Sequence, residues 1–256
     1  MKKIILLIAA ACMACTAAFA QTVKPFKEGE RAVFLGNSIT DGGHYHSYIW
    51  LYYMTRFPDM PIRVFNGGIG GDTAYDMNKR LDGDIFAMKP SVLMVTFGMN
   101  DSGYFEYNGD KPKEFGEQKY QESVKNYQQM EKRFKDLPDT RIVMVGTSPY
   151  DETVQLKENT PFKTKNETIK RLVEYQKESA AKNNWEFTDL NAPMVALNQQ
   201  YQQKDPTFTL CGSDRIHPDN DGHMVMAYLF LKAQGFVGKE VADMEINANK
   251  KQAVKS

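Results

Sequence analysis

The stretch RAVFLGNSITDGG, residues 31–43, decides how the rest of the chain is interpreted. Its apolar residues run into Gly36, and Ser38 follows at once between polar neighbours. A short apolar run that ends in turn residues is typical of a buried strand. Gly, Asn and Ser are common where a strand gives way to a loop. We therefore predict a buried strand whose end presents Ser38, although this piece alone favours a hydroxyl that only bonds to nearby backbone.

Apolar runs and amphipathic segments alternate along the rest of the chain. Four more strands are predicted: IRVFNGG (62–68), SVLMVTFG (91–98), TRIVMVGTSP (140–149) and the weaker WEFTDLN (185–191). Helical spacing of apolar residues predicts helices over 45–57, 73–88, 118–137, 164–183 and 223–235. Strands that alternate with helices in this way are typical of βαβ units. We expect an α/β fold with a parallel sheet of about five strands and helices on both faces.

The first 20 residues, MKKIILLIAAACMACTAAFA, have the pattern of a secretory signal peptide. Two lysines precede an apolar run, and Ala18-Phe19-Ala20 forms an A-x-A cleavage site. We predict cleavage before Gln21 and export to the periplasm or beyond. A membrane anchor is less favoured because the run is short for a span of about 20 residues. No membrane span is predicted in the mature chain.

Composition bounds what the mature chain contains and what it binds. One domain is predicted over 21–238, and the polar segment 239–256 is expected to be a tail or the start of a linker. The chain has 32 basic and 32 acidic residues, and a nucleic-acid partner would require a basic excess, so none is expected. Cys211 is the one cysteine outside the signal peptide, which excludes an intramolecular disulfide or a Cys-rich metal site in the mature chain. The sequence specifies no oligomeric state.

Polar segments stand where a parallel sheet binds ligands, beyond the carboxyl ends of its strands. They are GNSITDG, NGGIGGDT and GMND, and GSDRIHPDN lies in the loop before the last helix. A serine hydroxyl needs a base to become a nucleophile. His217 has Asp214 three residues before it, a spacing that lets a carboxylate reach Nδ1 of the imidazole. The other histidines are expected at a pocket rim (His44 and His46) or on a helix face (His223).

A reacting carbonyl would also need donors for the negative charge that develops on its oxygen. Three candidates lie in the same segments: the backbone N–H of Ser38, the backbone N–H of Gly71, and the side-chain amide of Asn100. Glycine lets a backbone N–H approach a ligand closely. A flexible turn or a phosphate loop is the alternative for NGGIGGDT. The phosphate interpretation is weak, because neither G-K-[ST] nor G-x-G-x-x-G is present.

Taken together and in this order, the four segments resemble those of the SGNH (GDSL-like) hydrolases over roughly residues 31–235. The resemblance implies a flavodoxin-like, three-layer α/β/α fold with a doubly wound sheet. It also implies an ester hydrolase that uses neither a metal nor a cofactor. By this resemblance Ser38 is the nucleophile, His217 the base and Asp214 its orienting carboxylate, while Gly71 and Asn100 donate to the oxyanion beside the Ser38 N–H.

One position departs from the family pattern. The family usually has Asp before the nucleophilic serine, and Asn37 stands there in this chain. We expect the loop shape and the activity to be kept, because this residue is thought to shape the loop. The electrostatics near the serine differ by one charge.

Aromatic residues near these segments bear on the substrate: His44, Tyr45, His46, Tyr48, Trp50, Tyr104, Phe105 and Tyr107. Tyr45, His46 and Tyr104 are predicted to bind substrate, since aromatic rings suit the faces of sugars. Simple packing is the alternative, and it is favoured for Tyr48 and Trp50.

We therefore expect a small-molecule or polysaccharide acyl ester as substrate, and an enzyme that removes O-acetyl groups from carbohydrates. A lipase-like or lysophospholipase esterase is the first alternative. It is disfavoured because the sequence has no long apolar lid segment. A non-catalytic carbohydrate-binding protein is the second alternative. It is disfavoured because a binder needs no serine, base and orienting carboxylate together.

Overall fold

The computed structural model of this protein describes residues 22–238 and two short strands beyond them. The predicted signal peptide, residues 1–20, lies outside the described residues. Within the predicted tail, Met244–Asn247 and Gln252–Lys255 pair as antiparallel strands. The interpretation of 239–256 as a tail or linker, and of 21–238 as one domain, stays a prediction.

Five strands form one parallel sheet. They are β1 (Arg31–Gly36), β2 (Arg63–Gly68), β3 (Val92–Val95), β4 (Arg141–Gly146) and β5 (Glu186–Asp189). Their order is β2-β1-β3-β4-β5, and every neighbouring pair is parallel. The predicted doubly wound sheet is confirmed. Because the winding direction reverses between β1 and β3, the switch point of the sheet lies at the end of β1, where ligands bind in such folds.

Seven α-helices lie among the described residues. They are α1 (Ser38–Asp41), α2 (His44–Arg56), α3 (Ala74–Arg80), α4 (Pro112–Lys135), α5 (Lys165–Asn183), α6 (Asn191–Gln202) and α7 (Asn220–Ala233). Helices α2 and α7 pack together, whereas α3 packs on α4 and α4 on α5. The molecule therefore has the predicted three layers.

The strands serve both layers because successive side chains point to opposite faces. In β1, Ala32 and Phe34 join the core beneath α2 and α7. Val33 and Leu35 join the core on the α3 and α4 side. A strand buried on both faces needs an unbroken apolar run, and this is what the sequence shows.

The helices differ from the prediction at several places. Helix α1 is not among the predicted helices, and α7 spans Asn220–Ala233 in place of the predicted 223–235. The predicted helix over 73–88 is α-helical only to Arg80 and continues as a π-helical turn, Leu81–Ile85, followed by a 3₁₀ turn. The wider turn keeps both Leu81 and Ile85 in the core. Helix α4 begins earlier than predicted, at Pro112, a residue suited to the first helical turn. Helix α6 was not predicted, because its mixed composition and Pro193 obscure the helical period.

Helix α1 lies directly against the ends of two strands. A Cβ atom at Gly68 would lie 2.2 Å from the backbone nitrogen of Asp41, and one at Gly36 would lie 2.1 Å from Oγ1 of Thr40. Real Cβ atoms do not approach other atoms this closely, so these two positions accept only glycine. The side chain of Asn37 caps α1 by accepting the backbone N–H of Ile39 at 3.0 Å. Ser38 is thus the first residue of a short, tightly seated helix.

Arg80 joins the ends of β1 and β2. Its Nε donates to Asp72 at 2.6 Å, and its Nη2 donates to the carbonyl oxygens of Gly67 at 2.8 Å and Gly36 at 3.3 Å. Both side chains of the ion pair are largely buried. The contacts fix the turn after β2 relative to the strand that leads to Ser38.

Asp101 plays the same part at the end of β3. Its buried carboxylate accepts the backbone N–H of Ala74 at 2.9 Å, the backbone N–H of Gly98 at 2.9 Å and the hydroxyl of Ser123 at 3.0 Å. These donors belong to α3, to the loop after β3 and to α4. One side chain therefore ties two helices to the loop that carries Asn100.

We predict that Asp101→Ala lowers the free energy of unfolding by about 2–4 kcal/mol, because it leaves buried donors without an acceptor. The matched control is Asp110→Ala, which removes an exposed carboxylate from the same loop. Urea unfolding followed by circular dichroism measures both. Equal unfolding midpoints for the two variants would contradict this role of Asp101.

Candidate active site

The structure brings Ser38, His217 and Asp214 together. The Oγ of Ser38 lies 2.7 Å from Nε2 of His217, and Nδ1 of His217 lies 2.6 Å from Oδ2 of Asp214. A carboxylate can only accept, so Nδ1 carries the proton that it shares with Asp214. Nε2 of the neutral ring then has a lone pair aimed at the serine hydroxyl. This arrangement can remove the hydroxyl proton.

The loop before α7 shapes itself around Asp214. The second carboxylate oxygen, Oδ1, accepts the backbone N–H groups of Ile216 and His217, both at 2.9 Å. The carboxylate thus bonds to both the backbone and the ring of the same histidine. The D-x-x-H spacing lets one carboxylate reach both of these groups.

These contacts move the pKa values of both groups. Burial raises the pKa of Asp214, but the hydrogen bonds from His217 and Ile216 outweigh burial and leave that pKa below its usual value. The bond to Asp214 raises the pKa of His217 above its usual value, against a smaller opposing effect of burial. Asp214 therefore stays ionised, and His217 becomes a proton acceptor only above its raised pKa.

Arg215 holds this loop from inside the protein. Its side chain is buried, and Nη1 donates to the carbonyl oxygens of Asp151 at 3.0 Å and Val154 at 2.8 Å. Nη2 donates to the carbonyl oxygen of Asn159 at 2.6 Å. No sequence pattern points to this role of Arg215, because an arginine between Asp and His in a loop is ordinarily solvent-exposed.

The three predicted donors belong to segments that contact one another. The N–H of Ser38 lies in the first turn of α1, where N–H groups have no partner within the helix. The turn after β2 passes beside the serine, since a Cβ built on Gly70 would lie 4.0 Å from Cβ of Ser38. Gly71 in that turn has φ +83°, a conformation that favours glycine.

Asn100 is fixed in one orientation. Its Nδ2 donates to the carbonyl oxygen of Asp72 at 2.9 Å, and its Oδ1 accepts the hydroxyl of Tyr104. Burial raises the pKa of Tyr104, so this hydroxyl stays a donor. An amide nitrogen carries two hydrogens, and the contact with Asp72 uses one. The second hydrogen of Nδ2 remains for a ligand. Tyr104, which is predicted to bind substrate, contacts Asn100 in the structure.

Tyr45 and His46 do not line the mouth of the site, which corrects their predicted placement. Only 2% of Tyr45 and 5% of His46 is exposed. The Tyr45 hydroxyl lies 3.0 Å from Oγ1 of Thr40, and Nε2 of His46 lies 3.2 Å from the Thr40 carbonyl oxygen. Helix α2 begins immediately after α1 and turns both rings inward, where they support α1 from beneath.

The remaining candidate groups make other contacts. His44 is exposed and stacks on the buried ring of His223, with 5.0 Å between ring centres. Cys211 is fully buried beside the carbonyl oxygen of Pro149, and burial raises the pKa of its thiol. Within the described part of the chain, no group of three or more His, Cys, Asp or Glu residues could hold a metal ion. None of the helices there is long and apolar enough to cross a membrane.

Comparison with known proteins identifies relatives over most of the chain. The acetylxylan esterase of Geobacillus stearothermophilus is 27% identical over 224 residues, which are 81% of this chain and 95% of that one. Its crystal structure superposes with a TM-score of 0.65 at 25% identity, covering 82% of this chain and 96% of that chain.

A gut microbial diltiazem-metabolizing enzyme is 85% identical, with a TM-score of 0.87 over 92% of this chain. The match covers 53% of that enzyme, so this chain spans about half of its length. The model of the GDSL-like lipase/acylhydrolase family matches residues 34–225. The chain therefore belongs to the GDSL-like lipase/acylhydrolase family, known also as the SGNH hydrolases, and is a carboxylic ester hydrolase.

Proposed function

We propose that this protein removes short acyl groups, above all O-acetyl groups, from carbohydrates, with Ser38, His217 and Asp214 as its catalytic triad. The observation that carries the proposal is the unbroken contact from the Ser38 hydroxyl through the His217 ring to the Asp214 carboxylate. A serine within 2.7 Å of an oriented imidazole has the base it needs to act as a nucleophile.

The reaction proceeds in two halves. Oγ of Ser38 attacks the ester carbonyl carbon while Nε2 of His217 takes the hydroxyl proton, and a tetrahedral oxyanion forms. The oxyanion collapses, the C–O bond to the alcohol breaks, and His217 gives its proton to the leaving alcohol. Water then attacks the acyl-serine with the same histidine as base, which releases the acid and restores Ser38.

The oxyanion is stabilised by the N–H groups of Ser38 and Gly71 and by the second hydrogen of Asn100 Nδ2. Each such donor contributes about 3–4 kcal/mol to transition-state stabilisation when it is held in place beforehand. The contacts of Asn100 with Asp72 and Tyr104 support this role, because they leave the amide no freedom to turn.

One relative supports acetyl as the acyl group and a carbohydrate as the alcohol, because it is described as an acetylxylan esterase. Another is described as a diltiazem-metabolizing enzyme, so diltiazem is a second compound to assay. The predicted signal peptide would place such an enzyme outside the cytoplasm, where polysaccharides are met.

We predict that Ser38→Ala abolishes hydrolysis of p-nitrophenyl acetate and of acetylated xylan while the protein stays folded. Cys211 cannot replace the serine because its thiol is fully buried. The control is Ser47→Ala, which removes an exposed hydroxyl from α2. Acetate release measures activity, and thermal unfolding reports the fold. Substantial activity in folded Ser38→Ala would refute the assignment.

We expect kcat/KM to rise with pH as His217 loses its proton, since only the neutral ring accepts the serine proton. The midpoint should lie above the ordinary histidine value of about 6.5, because Asp214 raises the pKa of His217. Asp214→Asn should shift the midpoint to lower pH and reduce kcat by about four orders of magnitude, as the equivalent change does in a serine protease. An unshifted midpoint in that variant would mean that another group orients the base.

Acyl chain length tests the proposed substrate class. We predict that p-nitrophenyl acetate and butyrate react fastest and that rates decline by octanoate, because a small acyl site leaves extra methylenes in water or in collision with the protein. A deep apolar channel would instead gain about 0.8 kcal/mol for each buried CH₂. Values of kcat/KM that keep rising through decanoate or palmitate would favour the lipase-like alternative. Diltiazem and acetylated xylan, assayed side by side, test whether either compound is a substrate.

A further inference from the structure

Lys165 is a charged side chain with no exposed surface. It is the first residue of α5, and its Nζ lies 2.7 Å from the carbonyl oxygen of Met99, 2.6 Å from Oγ of Ser102 and 2.6 Å from the carbonyl oxygen of Gly103. All three partners belong to the loop after β3 that carries Asn100. A buried charge is costly unless it is paired and hydrogen-bonded, so its place beneath this loop needs an explanation.

Counting hydrogens shows which form of Lys165 the contacts require. The hydroxyl of Ser102 donates to the Met99 carbonyl oxygen at 2.9 Å, so Oγ must accept from Lys165. The Met99 and Gly103 carbonyl oxygens can only accept. With the bond from Ser102 to Met99 there are four contacts, and the ammonium and the hydroxyl together supply four hydrogens. A neutral amine and the hydroxyl supply three, so one of the four contacts would be lost.

Some surroundings of Lys165 favour its charged form, and others favour its neutral form. The ring of Tyr104 lies 3.9 Å from Nζ and that of Tyr150 lies 5.7 Å away, and both faces favour a cation. Burial lowers the pKa of Lys165 to about 7, while the carboxylates of Asp101 and Glu152 oppose that shift. Lys119 of α4 also lies near this loop, with its Cε 3.4 Å from a Cβ built on Gly103. The charge of Lys165 is thus poised to change near neutral pH.

The loop after β3 and the side chain of Tyr104 both connect Lys165 to Asn100. Asn100 lies inside the loop that the ammonium holds, and Tyr104, whose ring covers the ammonium, donates its hydroxyl to Asn100. We infer that Lys165 is a positioning residue for ester hydrolysis: its ammonium holds residues 99–104 so that the free N–H of Asn100 points at the oxyanion. This inference rests on the proposed function.

The consequence is a loss of activity at alkaline pH. When Lys165 gives up its proton, one of the four hydrogen bonds among Lys165, Met99, Ser102 and Gly103 is lost, and the amide of Asn100 is held less firmly. Since His217 must be neutral and Lys165 charged, kcat/KM should pass through a maximum, with His217 responsible for the acidic side and Lys165 for the alkaline side. A residue that served the fold alone would not produce the alkaline side.

The test compares Lys165→Met with Lys182→Met, which removes an exposed lysine from the same helix. With p-nitrophenyl acetate, we expect Lys165→Met to lower kcat about tenfold to a hundredfold with little change in KM, and to lose the alkaline decline. The control should match the wild type. A folded Lys165→Met with wild-type kcat and the wild-type alkaline decline would overturn the inference.

Ser102→Ala keeps the test decisive if Lys165→Met does not fold. It removes one acceptor from the ammonium at nearly constant volume, so the alkaline decline should move to lower pH by about one unit. An unmoved decline in Ser102→Ala, or a wild-type profile without any alkaline decline, would refute the inference. Failure of the proposed function would look different, because the wild type would then hydrolyse no acetate ester or Ser38→Ala would remain active.

Discussion

The hydrogen bond between Nδ1 of His217 and Asp214 is the interaction on which the site depends. It fixes the ring so that Nε2 faces Ser38, and it sets the pH at which the ring can accept a proton. The bond is local, since the two residues are three apart. The contact it serves is not local, because Ser38 and His217 are 179 residues apart. Most of the structure around the site acts to hold the loops of Ser38 and His217 in fixed positions relative to each other.

Buried charged side chains hold each of the loops around the site in position. Arg80 bonds to the ends of β1 and β2, and Asp101 bonds to the loop after β3. Arg215 holds the loop of Asp214 and His217, and Lys165 holds the loop of Asn100. Each makes hydrogen bonds to backbone groups, which apolar side chains could not satisfy. Buried charges are poor sources of net stability. Their advantage is that they hold the loops in place before a substrate arrives, as the proposed oxyanion stabilisation requires.

The sequence predicted the sheet and the segments of the site because both depend on local patterns. Unbroken apolar runs identify doubly buried strands such as β1 and β3, and polar residues at strand ends identify the segments that meet. The four tethering side chains could not be predicted in this way. Charged residues are usually exposed, and only the packed structure shows that Lys165 or Arg215 is enclosed by carbonyl oxygens. Tyr45 was misplaced for a related reason, since proximity in sequence to Ser38 does not tell which way a helix turns its rings.

The crowding beneath α1 also limits how this protein can evolve. Any side chain at Gly36 or Gly68 would push α1, and Ser38 with it, out of place, so selection can keep only glycine at both positions. Residues at the surface carry no such restriction, and Phe105 and Ile69 are 78% and 43% exposed. New substrate preferences can therefore arise through the loops that follow β2 and β3, while the surroundings of Ser38 stay unchanged. Related enzymes would therefore differ in sequence at the rim of the site and stay alike in the residues beneath Ser38.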